Sequence, residues 1–279
     1  MGECQQQGCG GNGSQQAGQN NDESIKRALA RIRHKFLVMS GKGGVGKTSV
    51  AVNLAMALAQ KGFQVGIMDV DVHGPDVPRM LGLSGVKAGN AGDKLDPLHY
   101  SENLSAISIE GILPDTDTAV IWRGPLKHAA ITQFISEVNW GDLDYLIIDS
   151  PPGTGDEPMS VAQTVPDARA IVVTTPQEVA LLDVRKSINF CHKLNLEILG
   201  IVENMSGYAC PHCGGAIDIF GTGGGEKTAE QFGLRFLGRI PFDPNVVKAS
   251  DAGDAFQLRY KDSPVTKAFH DITDILVNG

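Results

Sequence analysis

Three groups of residues in this 279-residue chain have the types and spacing to do chemistry. The first is Gly41-Lys42-Gly43-Gly44-Val45-Gly46-Lys47-Thr48, which satisfies G-x-x-x-x-G-K-[ST]. In that pattern the glycines let backbone N–H groups turn inward on phosphate, the lysine reaches the β and γ phosphates, and the hydroxyl ligates Mg²⁺. Gly41 to Gly46 are therefore the expected cradle, Lys47 the catalytic cation and Thr48 a metal ligand, with ATP and Mg²⁺ as cofactors. The second group is acidic. Asp69, Asp71 and Asp76 leave one apolar run, and Asp149 ends another, Tyr145-Leu146-Ile147-Ile148. Carboxylates at strand tips beside a γ-phosphate orient the attacking water or hold the metal and its water shell. Asp149 is the expected Mg²⁺-side residue, and the glycine-containing loop 153–156 a sensor of the γ-phosphate.

The third group is Cys210-Pro211-His212-Cys213, followed by Gly214 and Gly215. Such a turn presents two thiolates on one side, as metal half-sites do. Two ligands do not close a tetrahedral site. The missing pair comes either from Cys4 and Cys9 or from the same two cysteines of a second copy, because an isologous dimer sets identical patches face to face. Four thiolates suit Zn²⁺ or a 4Fe-4S cluster, and composition leaves both open. Cys191 falls within a helix expected at 177–195 and reads as a core residue.

The elements that must position these groups are legible as alternating short apolar runs and helical patterns from residue 36 onward, the signature of parallel βαβ units. Strands are expected at 36–40, 65–69, 104–108, 145–149, 170–174, 198–203 and 236–240. Seven such strands with interleaved helices mean an α/β, doubly wound, mainly parallel sheet with helices on both faces. Ligands bind at the carboxyl edge of such sheets, where every motif above lies. The stretch 84–103 reads as a long loop or insertion. Residues 1–23, rich in Gln, Gly and Asn, read as a flexible tail with two cysteines. Ile25, Leu29 and Ile32 predict a short helix over 24–35 with Ser24 as its N-cap, before a 36–279 domain whose cysteine loop spans 206–222.

The loop GKGGVGKT resembles the deviant Walker A of the MinD, ParA and nitrogenase-iron-protein class of P-loop NTPases. The string Trp140 to Asp156, WGDLDYLIIDSPPGTGD, resembles the signature of the Mrp/ApbC (Nbp-type) family, and Ile121-Trp122-Arg123-Gly124-Pro125 a second segment of it. The resemblance covers residues from about 30 to 279. It implies that Lys42 reaches the nucleotide of a partner subunit in an ATP-dependent homodimer, that Asp71 positions water and Asp69 supports it on the metal side, and that Asn204, Pro241 and Asp243 surround the base. It further implies that Cys210 and Cys213 hold a labile 4Fe-4S cluster bridging two subunits and passed to apo iron-sulfur proteins, with slow ATP hydrolysis. His73 and His212 are read as a loop residue and a spacer.

Composition limits the alternatives. The formal charge of −8 and the pI near 5.3 argue against a nucleic-acid partner. The longest uninterrupted apolar run, Leu54 to Ala59, is far below the roughly 17–25 residues of a membrane span. With no leader pattern at Met1, a cytoplasmic address and no membrane partner are expected. Two other readings stay open: a MinD/ParA-like partitioning or positioning ATPase, and an electron carrier like the nitrogenase iron protein. The Val265–Val277 segment, which the first would need as a membrane anchor, carries one Lys and two Asp and reads as a core-packed helix.

Overall fold

The computed structural model describes residues 22–72, 74–112, 124–210, 212–217 and 219–279. Cys4, Cys9, His73, Ile121, Trp122, Arg123 and nearly all of the tail lie outside the described residues. Helix α1 covers residues 22–29, and β1 (Ile32–Ser40) follows directly. The helix expected over 24–35 is thus shorter, because Ile32 opens a strand whose pairing with Leu143 outweighs its helical spacing.

From β1 the chain runs through α2 (Lys47–Gln60), β2 (Val65–Asp69) and the single turn α3 (Val77–Met80). The strands β3 (Gly89–Ala91), β4 (Lys94–Asp96), β5 (Leu98–Ser101) and β6 (Leu104–Ser108) come next. Then α4 (Gly124–Ser136), β7 (Leu143–Asp149), α5 (Asp156–Thr164), β8 (Arg169–Thr174), α6 (Glu178–Lys193) and β9 (Glu197–Glu203) alternate. A hairpin of β10 (Tyr208–Ala209) and β11 (Ala216–Ile217) precedes α7 (Gly224–Phe232) and β12 (Phe236–Arg239). Helices α8 (Pro244–Ala252), α9 (Phe256–Arg259) and α10 (Pro264–Asn278) close the chain.

Eight strands form one sheet in the order β12-β9-β8-β1-β7-β2-β6-β5, parallel throughout except for β5 against β6. The seven expected strands are all in it. The stretch 84–103 is not a loop: β3 and β4 form a small hairpin and β5 adds the antiparallel edge. Strands of three or four residues are too short to declare a period, which is why sequence alone did not show them.

Successive residues of β1 feed two separate cores. Phe36 and Val38 pack with Leu54 of α2 and with Phe269 and Ile272 of α10. Leu37 and Met39 pack on the other face with Ile131 and Phe134 of α4 and with Val184 and Ile188 of α6. This is the alternation of a strand buried on both faces, and it places helices on both sides of the sheet. In α10, Val265, Phe269, Ile272 and Leu276 form one buried stripe, so the terminal helix is core-packed. Among the described residues no helix is long and apolar enough to cross a membrane.

The chain leaves β1 for β2 and β6 on one side, returns to β7 between them, and crosses to β8, β9 and β12 on the other. The strand order reverses around β1, so a crevice opens above its carboxyl end.

Candidate active site

Above Ser40, the last residue of β1, loop 41–46 turns into α2. Ser40 Oγ donates to the Lys42 carbonyl at 3.0 Å and fixes the first bend. Gly46 has φ +78°, a left-handed conformation that suits glycine, and a Cβ there would overlap the Asn204 amide. At Gly41 a Cβ would overlap the Asp183 backbone of α6. Both glycines are therefore required by shape.

The loop contributes to a cavity of about 440 Å³ whose lining includes Lys42, Gly43, Gly44, Gly46, Lys47, Thr48, Asp71, Asp76, Asn204, Pro241, Phe242 and Asp243. Met80, Val246 and Phe269 supply an apolar wall from α3, α8 and α10. A lining that combines the phosphate-type donors of the loop with apolar side chains suits a nucleotide.

Lys47 Nζ lies 2.5 Å from Asp149 Oδ1 and 3.3 Å from Thr48 Oγ1, and Thr48 Oγ1 donates to Asp149 Oδ2 at 2.7 Å. Burial raises the Asp149 carboxyl above its ordinary value, opposed chiefly by the Lys47 ammonium. Asp69 pairs in register with Asp149 across β2 and β7, and both are fully buried. Burial, then repulsion from Asp149, pushes the Asp69 carboxyl well above its ordinary range.

Asp69, expected on the metal side, is bonded to backbone through both oxygens. Its Oδ1 accepts the Asp71 N–H at 3.0 Å and its Oδ2 the Val77 N–H at 3.3 Å. It braces the loop that carries Asp71 into the cavity, because a carboxylate with no solvent contact must spend its oxygens on nearby donors. Asp71 Oδ1 in turn accepts the Gly74 N–H at 3.3 Å. Loop 153–156 is tied to the same place, since the Gly153 N–H donates to the Ser40 carbonyl at 2.7 Å. Lys42 is exposed and makes no ion pair with the described residues. Asn204 lines the cavity, but its Nδ2 donates to the Val45 carbonyl at 2.9 Å, so the amide also ties β9 to the phosphate loop. Asp243 caps α8 through the Asn245 N–H at 2.8 Å.

Cys210 and Cys213 sit at the tip of the β10–β11 hairpin, closed by the Cys210 N–H to Gly215 carbonyl and Gly214 N–H to Cys210 carbonyl bonds, both 2.8 Å. Cys210 is half-buried and Cys213 exposed. The backbone N–H groups of His212 and Cys213, then the Cys213 thiol, hold the Cys210 thiol below its ordinary value, which favours the thiolate that binds metal. His212 contributes its backbone to the pair. Among the described residues no group of three or more His, Cys, Asp or Glu side chains converges as a metal site, and the two thiols stand as a pair. Cys191 is buried with its Sγ 3.4 Å from Met39 Sδ, and burial pushes its thiol up to about 12.

Two features escaped the sequence reading. One is the apolar wall, which three helices remote in sequence bring together without a local signal. The other is Glu203, a wholly buried carboxylate that accepts from Ser206 Oγ at 2.5 Å and from the N–H groups of Gly223 at 2.9 Å and Gly225 at 2.5 Å. An acidic residue closing an apolar strand, with Ser three residues on, was the available hint.

A doubly wound sheet with this loop at its reversal point, Lys47 and Thr48 heading a helix and Asp149 on the adjacent strand defines the P-loop NTPase class. Within that class, the model of the ParA family described as NUBPL iron-transfer P-loop NTPase matches residues 31–277, and the chain belongs to that family. An iron-sulfur cluster carrier protein of Saccharolobus solfataricus is 50% identical over 258 residues, 92% of this chain and 87% of the relative. The cytosolic Fe-S cluster assembly factor NBP35 of Kluyveromyces lactis is 46% identical over 258 residues, 90% of this chain and 79% of the relative. A nucleotide-binding protein of Archaeoglobus fulgidus, solved in complex with ADP, superposes with a TM-score of 0.76 at 37% identity, covering 88% of this chain and 95% of that one. MinD of Aquifex aeolicus, at 20% identity and TM-score 0.65 over 88% of this chain and 98% of its own, shares the fold.

Proposed function

We propose that this chain is a nucleotide-dependent carrier of iron-sulfur clusters, which holds a 4Fe-4S cluster as cargo between two copies and delivers it to apoproteins. The observation that carries the reading is the thiol pair at the hairpin tip, accessible and with the Cys210 thiol lowered, in a chain whose relatives are named as an iron-sulfur cluster carrier and an Fe-S cluster assembly factor.

The nucleotide is ATP, held with its phosphates in the 41–46 cradle and its base toward Asn204, Pro241 and Asp243. Thr48 Oγ1 and Asp149 Oδ2 are hard oxygen donors already 2.7 Å apart beside the cradle, and they fit Mg²⁺. Bound there, the ion would neutralise charge on the β and γ phosphates. Lys47 holds the phosphates with the ammonium that now contacts Asp149. Asp71 orients the attacking water and accepts its proton, while Asp69 fixes the Asp71 loop rather than the metal. Lys42 reaches the nucleotide of the second copy. Hydrolysis is slow and serves as a switch between two geometries of the dimer, hence of the cluster at its seam.

The test is the iron, sulfide and zinc content per subunit after anaerobic purification, with Cys210→Ser alongside. Iron with matching sulfide, lost in the variant, is the expected result. Zinc, or no metal even after reconstitution with iron and sulfide, overturns the reading.

A further inference from the structure

The segment that carries the two cysteines leaves the sheet after β9 and returns at α7, and one side chain grips both of its ends. Glu203 receives the Ser206 hydroxyl at the exit and the Gly223 and Gly225 N–H groups at the return, 20 and 22 residues further along. The carboxylate thereby caps the N-terminus of α7, where exposed N–H groups and the helix dipole favour an anion. Arg239 on β12, paired in register with Glu203, brings its Nε to 3.6 Å of Oε1 and also pairs with Glu226 of the first turn of α7. A charge buried to this degree persists only with such a full set of partners.

The next residue faces the other way. Asn204 donates to the Val45 carbonyl inside the phosphate loop, and its own N–H donates to the Thr174 carbonyl at 2.7 Å. Between this contact and Ser206, Met205 is held at φ +56°, a left-handed conformation that is strained for a residue with a side chain, and it too lines the cavity. The base of the segment also touches the cavity lining: Phe242 meets Tyr208 and Phe220 edge-on at 5.7 and 6.1 Å between ring centroids. The phosphate loop, Asn204, one strained turn and the clasp that closes segment 206–223 thus form an unbroken chain of contacts.

We propose that Glu203 is the positioning residue that couples the nucleotide cavity to the cysteine segment, because its carboxylate clasps both ends of that segment while its neighbour Asn204 is bonded to the phosphate loop. The cargo at the segment's tip rests on the function proposed above, but the coupling does not. The test measures the response of one site to the other.

The experiment is hydrogen exchange of the full-length chain with and without Mg·ADP, read over peptides spanning 206–225, for the native chain, Glu203→Gln and Glu203→Asp. Binding of Mg·ADP is measured in parallel. In the native chain nucleotide slows exchange across the segment. In Glu203→Gln the segment exchanges about tenfold faster, as loss of a charge-assisted clasp requires, and no longer responds to nucleotide although affinity changes less than about threefold. Glu203→Asp, which keeps the charge on a shorter arm, restores part of the response, which a merely structural role would not. If Glu203→Gln does not fold, Ser206→Ala removes one bond of the clasp and loses a measurable share of the response. An unresponsive segment in the native chain, or an equal response in native and variant chains, overturns the coupling. Iron content of the native chain reads the carrier function separately: a segment that responds to nucleotide in a chain that takes up no iron leaves the coupling standing and removes the cargo.

Discussion

Asp69 and Asp149 stand opposite each other in register on β2 and β7, both without solvent contact, one braced by backbone N–H groups and the other by Lys47 and Thr48. The asymmetry separates them: Asp149 is bonded to the side chains that head α2, and Asp69 to the backbone of the loop that carries Asp71.

It also sets the sign of a pH dependence. The Asp69 carboxyl lies well above its ordinary 3.8, through burial first and Asp149 second. Between 3.8 and the raised value the folded chain keeps a proton that the unfolded chain has released. The contribution to stability is therefore complete below 3.8 and falls as pH rises through the folded value; Asp149, raised by burial, acts in the same direction. Asp69→Asn should flatten the decline of unfolding free energy with pH, measured by denaturant titration from acid to neutral. An unchanged slope would show that Asp69 ionises as freely in the folded chain as in the unfolded one.

The shape of the phosphate loop gives the next expectation. In Gly46→Ala the residue must hold a left-handed backbone, at about 1–2 kcal/mol, and its methyl displaces the Asn204 amide from Val45. Losing one charge-assisted bond to phosphate costs about 1.5–3 kcal/mol, so affinity for Mg·ADP by calorimetry should fall roughly 10- to 100-fold. Circular dichroism of the variant should match the native chain. Undiminished affinity would mean that the cradle does not bind phosphate through this turn.

The cysteines should separate by reactivity. Cys191 is raised to about 12, while Cys210 is lowered and Cys213 exposed. Iodoacetamide at about pH 8 finds only about one Cys191 thiolate in ten thousand, so peptide mapping of the metal-free folded chain should show alkylation at Cys210 and Cys213 and none at Cys191 until denaturant is added. Labelling of Cys191 at a rate like that of Cys210 would contradict its place between β1 and α6.

How much of this was written in the sequence follows from the range of each interaction. The strand-loop-helix at Gly41–Thr48 and the apolar run ending in Asp149 are local patterns, and they appear where the sequence placed them. The backbone bonds of Asp69 were not legible, because a carboxylate at a strand tip looks the same in sequence whatever donors surround it. Ile32 was misplaced by a helical spacing that strand pairing overrode. Met80, Val246 and Phe269 form one wall only after α3, α8 and α10 have packed on β1 and its neighbours, and Glu203 finds Gly223 and Gly225 only across a long excursion of the chain.

Lys42 supplies the sharpest test of a shared site. It lies in the cradle, exposed, with no ion pair among the described residues. If it acts in a second copy, Lys42→Ala should keep its affinity for Mg·ATP yet lose about 10²- to 10³-fold in turnover, the scale of a donor aimed at transition-state charge. Asp71→Asn, which removes the carboxylate proposed above to orient water, should be similarly slow. Mixing the two inactive variants then decides between a residue acting within its own chain and one acting across the seam. In a mixed dimer, the chain carrying Asp71→Asn still offers Lys42 to the site that retains Asp71, so one of the two sites is whole. Equal mixing makes half of the dimers mixed, and turnover should recover to roughly a quarter of the native value, with turnover per subunit rising with protein concentration. If Lys42 serves its own chain, every site in every mixture lacks either Lys42 or Asp71, and no recovery appears at any concentration.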